Sequence, residues 1–306
     1  MRQLIAIIIL VVLFVKVKAQ QHPLFSQYIF NGLTINPAYA GSRPYMTLNS
    51  ITRKQWVGVD RSPFTQSIAW HGPLKDKKSG LGFVFNHDRA GIVSQSDVYG
   101  SYSYHISLPR GKFSMGLSGG ASFIRSQLSD AVIWDAGDAV YNANSISITL
   151  PNFGAGAYYY HEKYYAGLSV PQIISYYNRT KGGDQVAAAH RPTPHYYLHT
   201  GMVIEGKNDI DFKPSVLLKY VKAAPVQYDI NLNLLFSKIL WVGAGYRSGD
   251  AITVLLEYQT SRQLRLGYSF DYTLSRLQNT TFGSHEISIG YDFGYDILKI
   301  KNPRYF

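Results

Sequence analysis

The chain has 306 residues, no cysteine, 27 glycines and 25 tyrosines; only 16% of it is charged and its net charge is +11. Soluble domains carry about 25% charged residues, and a mean hydropathy of −0.10 excludes both a helical membrane bundle and a hydrophilic disordered chain. Lack of cysteine rules out a disulfide framework, a cysteine nucleophile and thiolate metal sites.

Arg2 and the apolar run Leu4 to Val15 open the chain, followed by Val17-Lys18-Ala19. This is the pattern of a secretory leader, cleaved after Ala19, and the run is too short for a membrane-spanning helix of about 20 residues. Losing residues 1–19 removes Arg2, Lys16 and Lys18 and no acid, which takes the charge from +11 to +8. The remaining basic residues are scattered apart from Lys75, Lys77 and Lys78, read as a solvated turn, so the charge does not indicate a nucleic-acid partner.

From about residue 44 to 293, apolar and polar residues alternate with period two. Over Pro225 to Ser237, Val226, Tyr228, Ile230, Leu232, Leu234 and Phe236 share one face, with Leu235 the exception on the other. Leu264, Leu266, Tyr268, Phe270 and Tyr272 repeat the pattern, as do Ile287, Ile289, Tyr291 and Phe293. Small residues fill the opposite face at Ser114, Gly116, Ser118, Gly120 and Ser122. Segments of about ten alternating residues fit strands with lipid outside and a polar lumen inside. Tyr45, Tyr158, Tyr164, Tyr196, Tyr220, Tyr258 and Tyr272 near segment ends suit aromatic girdles at the two interfaces.

Strand centres fall near residues 49, 68, 84, 102, 118, 155, 167, 200, 216, 231, 242, 255, 268 and 289. That predicts an all-β fold, a transmembrane antiparallel β-barrel of about 14 strands. The expected organisation is a signal peptide (1–19), an N-terminal plug or periplasmic segment (20–43), the barrel (44–293) and a C-terminal periplasmic tail (294–306). Two longer connections, 126–150 and 173–193, fall at odd-to-even junctions, which should face outward. Trp134, Tyr141, Tyr176 and Tyr177 are candidate aromatic anchors for a partner there.

Catalytic motifs find no support. Gly116-Leu117-Ser118-Gly119-Gly120 matches a nucleophile elbow only on paper, because alternation runs straight through it and no helix follows. His195 and His199 lie on a strand rather than at metal-ligand spacing, and His87-Asp88-Arg89 reads as a polar turn. Asp135 to Asp138 lacks the ligand pattern of a calcium loop. The expectation is no enzyme, no metal and no cofactor.

Residues 20–43 are too apolar for a solvated tail yet do not alternate. They contain Phe25-Ser26-Gln27-Tyr28, Asn31 and Asn36-Pro37-Ala38-Tyr39-Ala40-Gly41. Gln55-Trp56, Thr65-Gln66 and His71 follow, and the chain ends Pro303-Arg304-Tyr305-Phe306. In this combination the chain resembles the PorP/SprF family of outer-membrane proteins of the type IX secretion system in Bacteroidota. Gly32-Leu33-Thr34-Ile35 departs from family members that carry a proline after the asparagine.

The resemblance implies a barrel without enzymatic activity, in the outer membrane of a Gram-negative cell. Such a barrel helps to secrete or anchor a large adhesin with a type B C-terminal domain, in gliding motility or surface adhesion. Implied partners are that secreted surface protein, periplasmic type IX or peptidoglycan-linked components, and outer-membrane lipids. Physically, residues 20–43 either fold back to plug the barrel or line its periplasmic mouth, or they lie as an extended arm or helix outside the wall. The alternative function is an outer-membrane channel or hydrophobic-solute transporter with an N-terminal hatch, since Asn36-Pro37-Ala38 fits that too. Ile287, Ile289, Tyr291 and Phe293 form the expected assembly signal of the last strand.

Overall fold

The computed structural model describes residues 24–127, 145–175, 193–222 and 224–294. Strands follow one another in chain order: β1 (Met46–Lys54), β2 (Phe64–Pro73), β3 (Ser79–Ala90), β4 (Val93–Leu108), β5 (Gly111–Ser126), β6 (Ile146–Tyr160) and β7 (Tyr164–Ser175). Then come β8 (His195–Met202), β9 (Ile204–Glu205), β10 (Ile210–Val221), β11 (Gln227–Phe236), β12 (Leu240–Arg247), β13 (Ala251–Gln259), β14 (Leu264–Thr273) and β15 (Ser284–Phe293). β8 and β9 are one strand interrupted at Val203, since both pair with β10. Fourteen strands therefore make the wall, and each predicted centre falls in a different one.

Every pairing is antiparallel between chain neighbours, and the ring closes where β1 meets β15, from Met46↔Phe293 to Lys54↔His285. Closure leaves no sheet edge, which is what a membrane-spanning sheet needs, because lipid cannot satisfy free backbone groups. No helix of the described residues is long and apolar enough to cross a membrane.

Alternation sorts the side chains. Leu117, Leu168, Ile230, Leu232, Tyr258, Ile287 and Ile289 are exposed on the outer face, while Ser114, Ser169, Asn233, Asp271 and Glu286 are buried on the inner one. Tyr164, Tyr196, Tyr220, Tyr258 and Tyr272 face outward as the girdle reading requires. Tyr45 and Tyr158 do not: both are buried inside, Tyr158 packed edge-on against Tyr39 with ring centroids 5.4 Å apart. Position near a strand end does not decide the face; register does, and Tyr158 is in step with inward-facing Asn152.

Three boundaries differ from expectation. His87-Asp88-Arg89 is no turn but the end of β3, because the β3–β4 pairing runs on to Ala90↔Val93. Residues 173–175 belong to β7 and not to the connection, and Pro171 sits in that strand at a register shift between Phe153 and Ala155, where a proline without an N–H is tolerated. β6 begins at Ile146, so the long connections span 127–145 and 176–194. Trp134, Tyr141, Tyr176, Tyr177, the leader and Pro303, Arg304, Tyr305 and Phe306 lie outside the described residues.

Connections at the two ends are unequal. The end at Lys54 carries all the long connections, 55–63, 127–145, 176–194 and 274–283, together with 91–92, 222–226 and 248–250, whereas the other end carries only short ones, 74–78, 109–110, 161–163, 206–209, 237–239 and 260–263. Barrels of this kind keep their short turns on the periplasmic side.

Candidate functional site

Residues 24–45 run through the interior of the ring. Three short 3-10 turns, Ser26–Phe30, Gly32–Thr34 and Pro37–Tyr39, carry the chain, and nearly every residue in them is buried. Asn36 is extended (φ −144°, ψ 113°), as a residue before proline should be, and its side chain accepts the N–H of Ala38 at 2.9 Å. A segment this short cannot bond its own backbone fully, so the wall supplies the partners.

Toward the Lys54 end the partners are charged. Ser26 and Gln27 donate their backbone N–H groups to the two oxygens of Glu286, at 2.7 and 3.1 Å. Ser26 Oγ donates to Asp271 at 2.8 Å, and Ser288 Oγ donates to Gln27 Oε1 at 2.6 Å. Arg53 on β1 pairs with both Glu286 on β15 and Asp271 on β14, the latter at 2.8 Å. Arg247, itself paired with Asp229 at 2.9 Å, joins through Asp271 at 3.6 Å. At the opposite end of the barrel a separate pair forms between Arg265 and Asp292 at 3.0 Å. Arg43 reaches Asp292 at 3.6 Å as the segment turns toward β1. Two backbone donors on one carboxylate form a strong, charge-assisted clasp. Because Arg53 and Glu286 sit on the first and last strands, the same clasp spans the closing seam.

Lower in the lumen the partners are neutral. Carbonyls of Ile35, Ala38 and Ala40 accept from Ser169, Ser114 and Ser103 at 2.6, 2.7 and 2.6 Å. Asn36 Nδ2 donates to the Ala157 carbonyl at 3.0 Å, and Gly41 N–H to His71 Nδ1 at 3.3 Å. Here the small inner-face residues are explained: a Cβ at Gly116 would overlap the Ala38 backbone, and one at Gly156 would overlap Asn36 Oδ1. Ser118 sits two residues from this seat, in the middle of β5, with no sharp turn presenting it.

Between the two lies an apolar seat. Tyr28, Ile29, Phe30 and Ile35 pack against Tyr197, Leu217, Leu235, Trp241 and Leu255. The Phe30 and Trp241 centroids are 6.0 Å apart, and Lys213 Nζ lies 5.9, 5.8 and 5.6 Å from the rings of Phe30, Tyr165 and Trp241, within cation–π range. Phe30→Ala is expected to lower unfolding stability by about 3–5 kcal/mol, read as an earlier urea midpoint in tryptophan fluorescence of the detergent-solubilised protein. A midpoint equal to wild type would mean that the seat contributes nothing.

Of the predicted signature residues, Phe25, Ser26, Gln27, Tyr28, Asn31, Asn36, Pro37, Ala38, Tyr39, Ala40, Gly41, Thr65 and His71 are all buried within the ring. Gln66, Gln55 and Trp56 are not: Gln66 points outward from β2, and Gln55-Trp56 open the 55–63 connection, where Trp56 N–H donates to Ser284 Oγ at 3.1 Å. His195 and His199 face inward from β8; His199 stacks on Tyr158 at 5.6 Å. Ile287 and Ile289 point outward on β15, with Phe293 at its end.

The residues that clasp the segment, Arg53, Asp271, Glu286 and Arg247, escape sequence reasoning, as do Leu217, Trp241 and Leu255. A signal for the apolar seat exists: Val216-Leu217-Leu218, Leu234-Leu235-Phe236, Leu240-Trp241-Val242 and Val254-Leu255-Leu256 each break alternation with an apolar residue on the polar face.

Among solved structures, the CymD monoaromatic hydrocarbon channel is similar at a TM-score of 0.53 and 12% identity, over 86% of this chain and 93% of that one. The Ralstonia pickettii toluene transporter TbuX gives 0.52 at 8% identity, over 86% and 93%. The Acinetobacter baumannii outer membrane protein Omp33 gives 0.49 at 12% identity, over 83% and 100%. At such identities CymD and TbuX share the fold and nothing more is carried over. No curated protein matches the chain. The sequence profile described as type IX secretion system membrane protein PorP/SprF matches residues 17–291. With that match running from before the lumen segment into the last strand, the chain belongs to the PorP/SprF family of type IX secretion system membrane proteins.

Proposed function

We propose that this barrel serves type IX secretion as a docking partner of an exported protein and not as its conduit. The observation that carries this is the filled lumen of a secretion-family barrel. Interior spaces of about 10, 20 and 30 Å³ for a water-sized occupant lie beside the segment among the described residues. Each has room for no more than one or two waters, far too little for an extended polypeptide. Residues 24–45 therefore act as a plug, and the partner engages the long connections 127–145 and 176–194. The exported protein is a large surface adhesin with a type B C-terminal domain, held for gliding or adhesion, and periplasmic type IX components meet the opposite end. The leader is removed after Ala19 on the way.

Deleting the gene is expected to strip one or a few very large proteins from the cell surface while other secreted proteins remain. Pull-down from detergent-solubilised membranes is expected to recover the same protein. Recovery of neither a secreted protein nor a secretion component would sink the reading. A second reading, passage of small apolar solutes, is favoured by the apolar inner seat and by the likeness in fold to hydrocarbon channels. Uptake of toluene into vesicles carrying the purified protein, absent from empty vesicles, would favour it.

A further inference from the structure

At the short-turn end of the barrel every turn carries an exposed basic side chain. Turn 74–78 holds Lys75, Lys77 and Lys78; the following turns contribute Arg110, Lys163, Lys207, Lys238 and Arg262 in order around the ring. Acids at this end are fewer, namely Asp76, Glu162, Glu205 and Asp209. Two of them are engaged within the rim. Glu205 pairs with Lys163 at 3.3 Å. Asp76 accepts from Ser79 Oγ at 2.8 Å and from the backbone N–H groups of Ser79 and Lys78 at 2.9 and 3.0 Å. Those bonds hold its carboxyl below the usual range, so it stays ionised. It thereby shapes the turn while Lys75, Lys77 and Lys78 remain exposed.

We propose that this rim binds peptidoglycan directly, through the carboxylates of its stem peptides. The charge is spread around a circle at one level of the barrel instead of being gathered in a cleft. Such a ring fits an extended anionic layer lying parallel to the membrane, not a small anion. Its composition points the same way. Lysine dominates, and lysine is a hydrated, flexible point charge that is depleted in specific protein–protein interfaces, where arginine is enriched. A diffuse polyanion needs no fixed fork geometry, so lysine serves it well. The inference rests on the short turns facing the periplasm, and it stands whichever protein the outer loops engage.

The test uses the full-length protein in zwitterionic nanodiscs, pelleted with purified Gram-negative sacculi. Wild type is expected to co-sediment at low salt and to be released by about 0.5 M NaCl, where screening shortens the reach of charge to a few ångströms. Sacculi whose carboxyls have been amidated are expected to lose retention. A Lys75→Glu, Lys77→Glu, Lys207→Glu, Lys238→Glu variant, checked for folding by heat-modifiable gel mobility, is expected to bind more than about tenfold more weakly, since each charge at an anionic surface matters several-fold. The proposal falls if amidated sacculi retain the protein as well as native ones, or if the folded variant pellets like wild type. It also falls if wild type ignores sacculi and binds only vesicles containing phosphatidylglycerol, which would assign the rim to lipid headgroups.

Discussion

A Glu286→Ala variant is expected to lose about 3 kcal/mol of unfolding stability and to release the start of the lumen segment. The carboxylate accepts two backbone N–H groups, from Ser26 and Gln27, and pairs with Arg53 while buried to within 1%. Removing one member of a buried charge pair costs about 3–5 kcal/mol, because its partner is left desolvated. The lower end applies here, since Asp271 still faces Arg53 at 2.8 Å. Urea titration of the solubilised protein reads the stability, and chymotrypsin cleavage after Phe25 or Tyr28 reads the release. Glu286→Gln is the informative companion. It keeps one acceptor oxygen for the segment but loses the ion pair, so it should weaken the seam more than the segment. If Glu286→Ala unfolds at the wild-type midpoint and Phe25 and Tyr28 stay protected, the clasp is not what holds the segment.

The wall was legible because alternation is a local property. Each strand announces itself in about ten residues, and Ile287, Ile289 and Phe293 face outward on β15 or close it, as their spacing requires. The contents of the lumen were only half legible. Phe25, Tyr28, Phe30 and Tyr39 are too apolar for a solvated tail, which says that residues 20–43 must bury themselves but not against what. Their partners are remote: Ser26 and Glu286 are 260 positions apart. No pattern in one sequence joins two such residues. Inner-face charges such as Asp271 and Arg247 look the same whether they line a water-filled pore or bind a segment. Leu235 was visible as a break in alternation, yet its meaning needed Phe30 and Trp241 beside it. Tyr158 shows the reverse failure, where a sound rule about strand ends met a register that turned the ring inward.

Gly156→Val is expected to turn a near-silent barrel into a conducting one, at least about tenfold above wild type in planar bilayers. Valine is a favourable residue on a strand, and β6 keeps its ladders to β5 and β7 at this position, through Gly116 and Ser169. The wall therefore tolerates the change. The segment does not, because the new Cβ occupies the place of Asn36 Oδ1, and the Asn36-Pro37-Ala38 turn is tied at both ends to that spot by Ala157 and Ser114. Unseating it strips the carbonyls of Ile35, Ala38 and Ala40 of their serine donors, each loss worth about 1 kcal/mol, and admits water along the small-residue face of β5. Deleting residues 24–41 should raise conductance further, since it also clears the apolar seat. The contrast between the two variants separates the readings of this lumen. If Gly156→Val folds, runs as a heat-modifiable barrel and conducts no more than wild type, the segment is not what closes the lumen. If it conducts ions but the surface protein stays anchored in cells carrying it, closure and docking are separate duties, the first lying with residues 24–45 and the second with the outer loops.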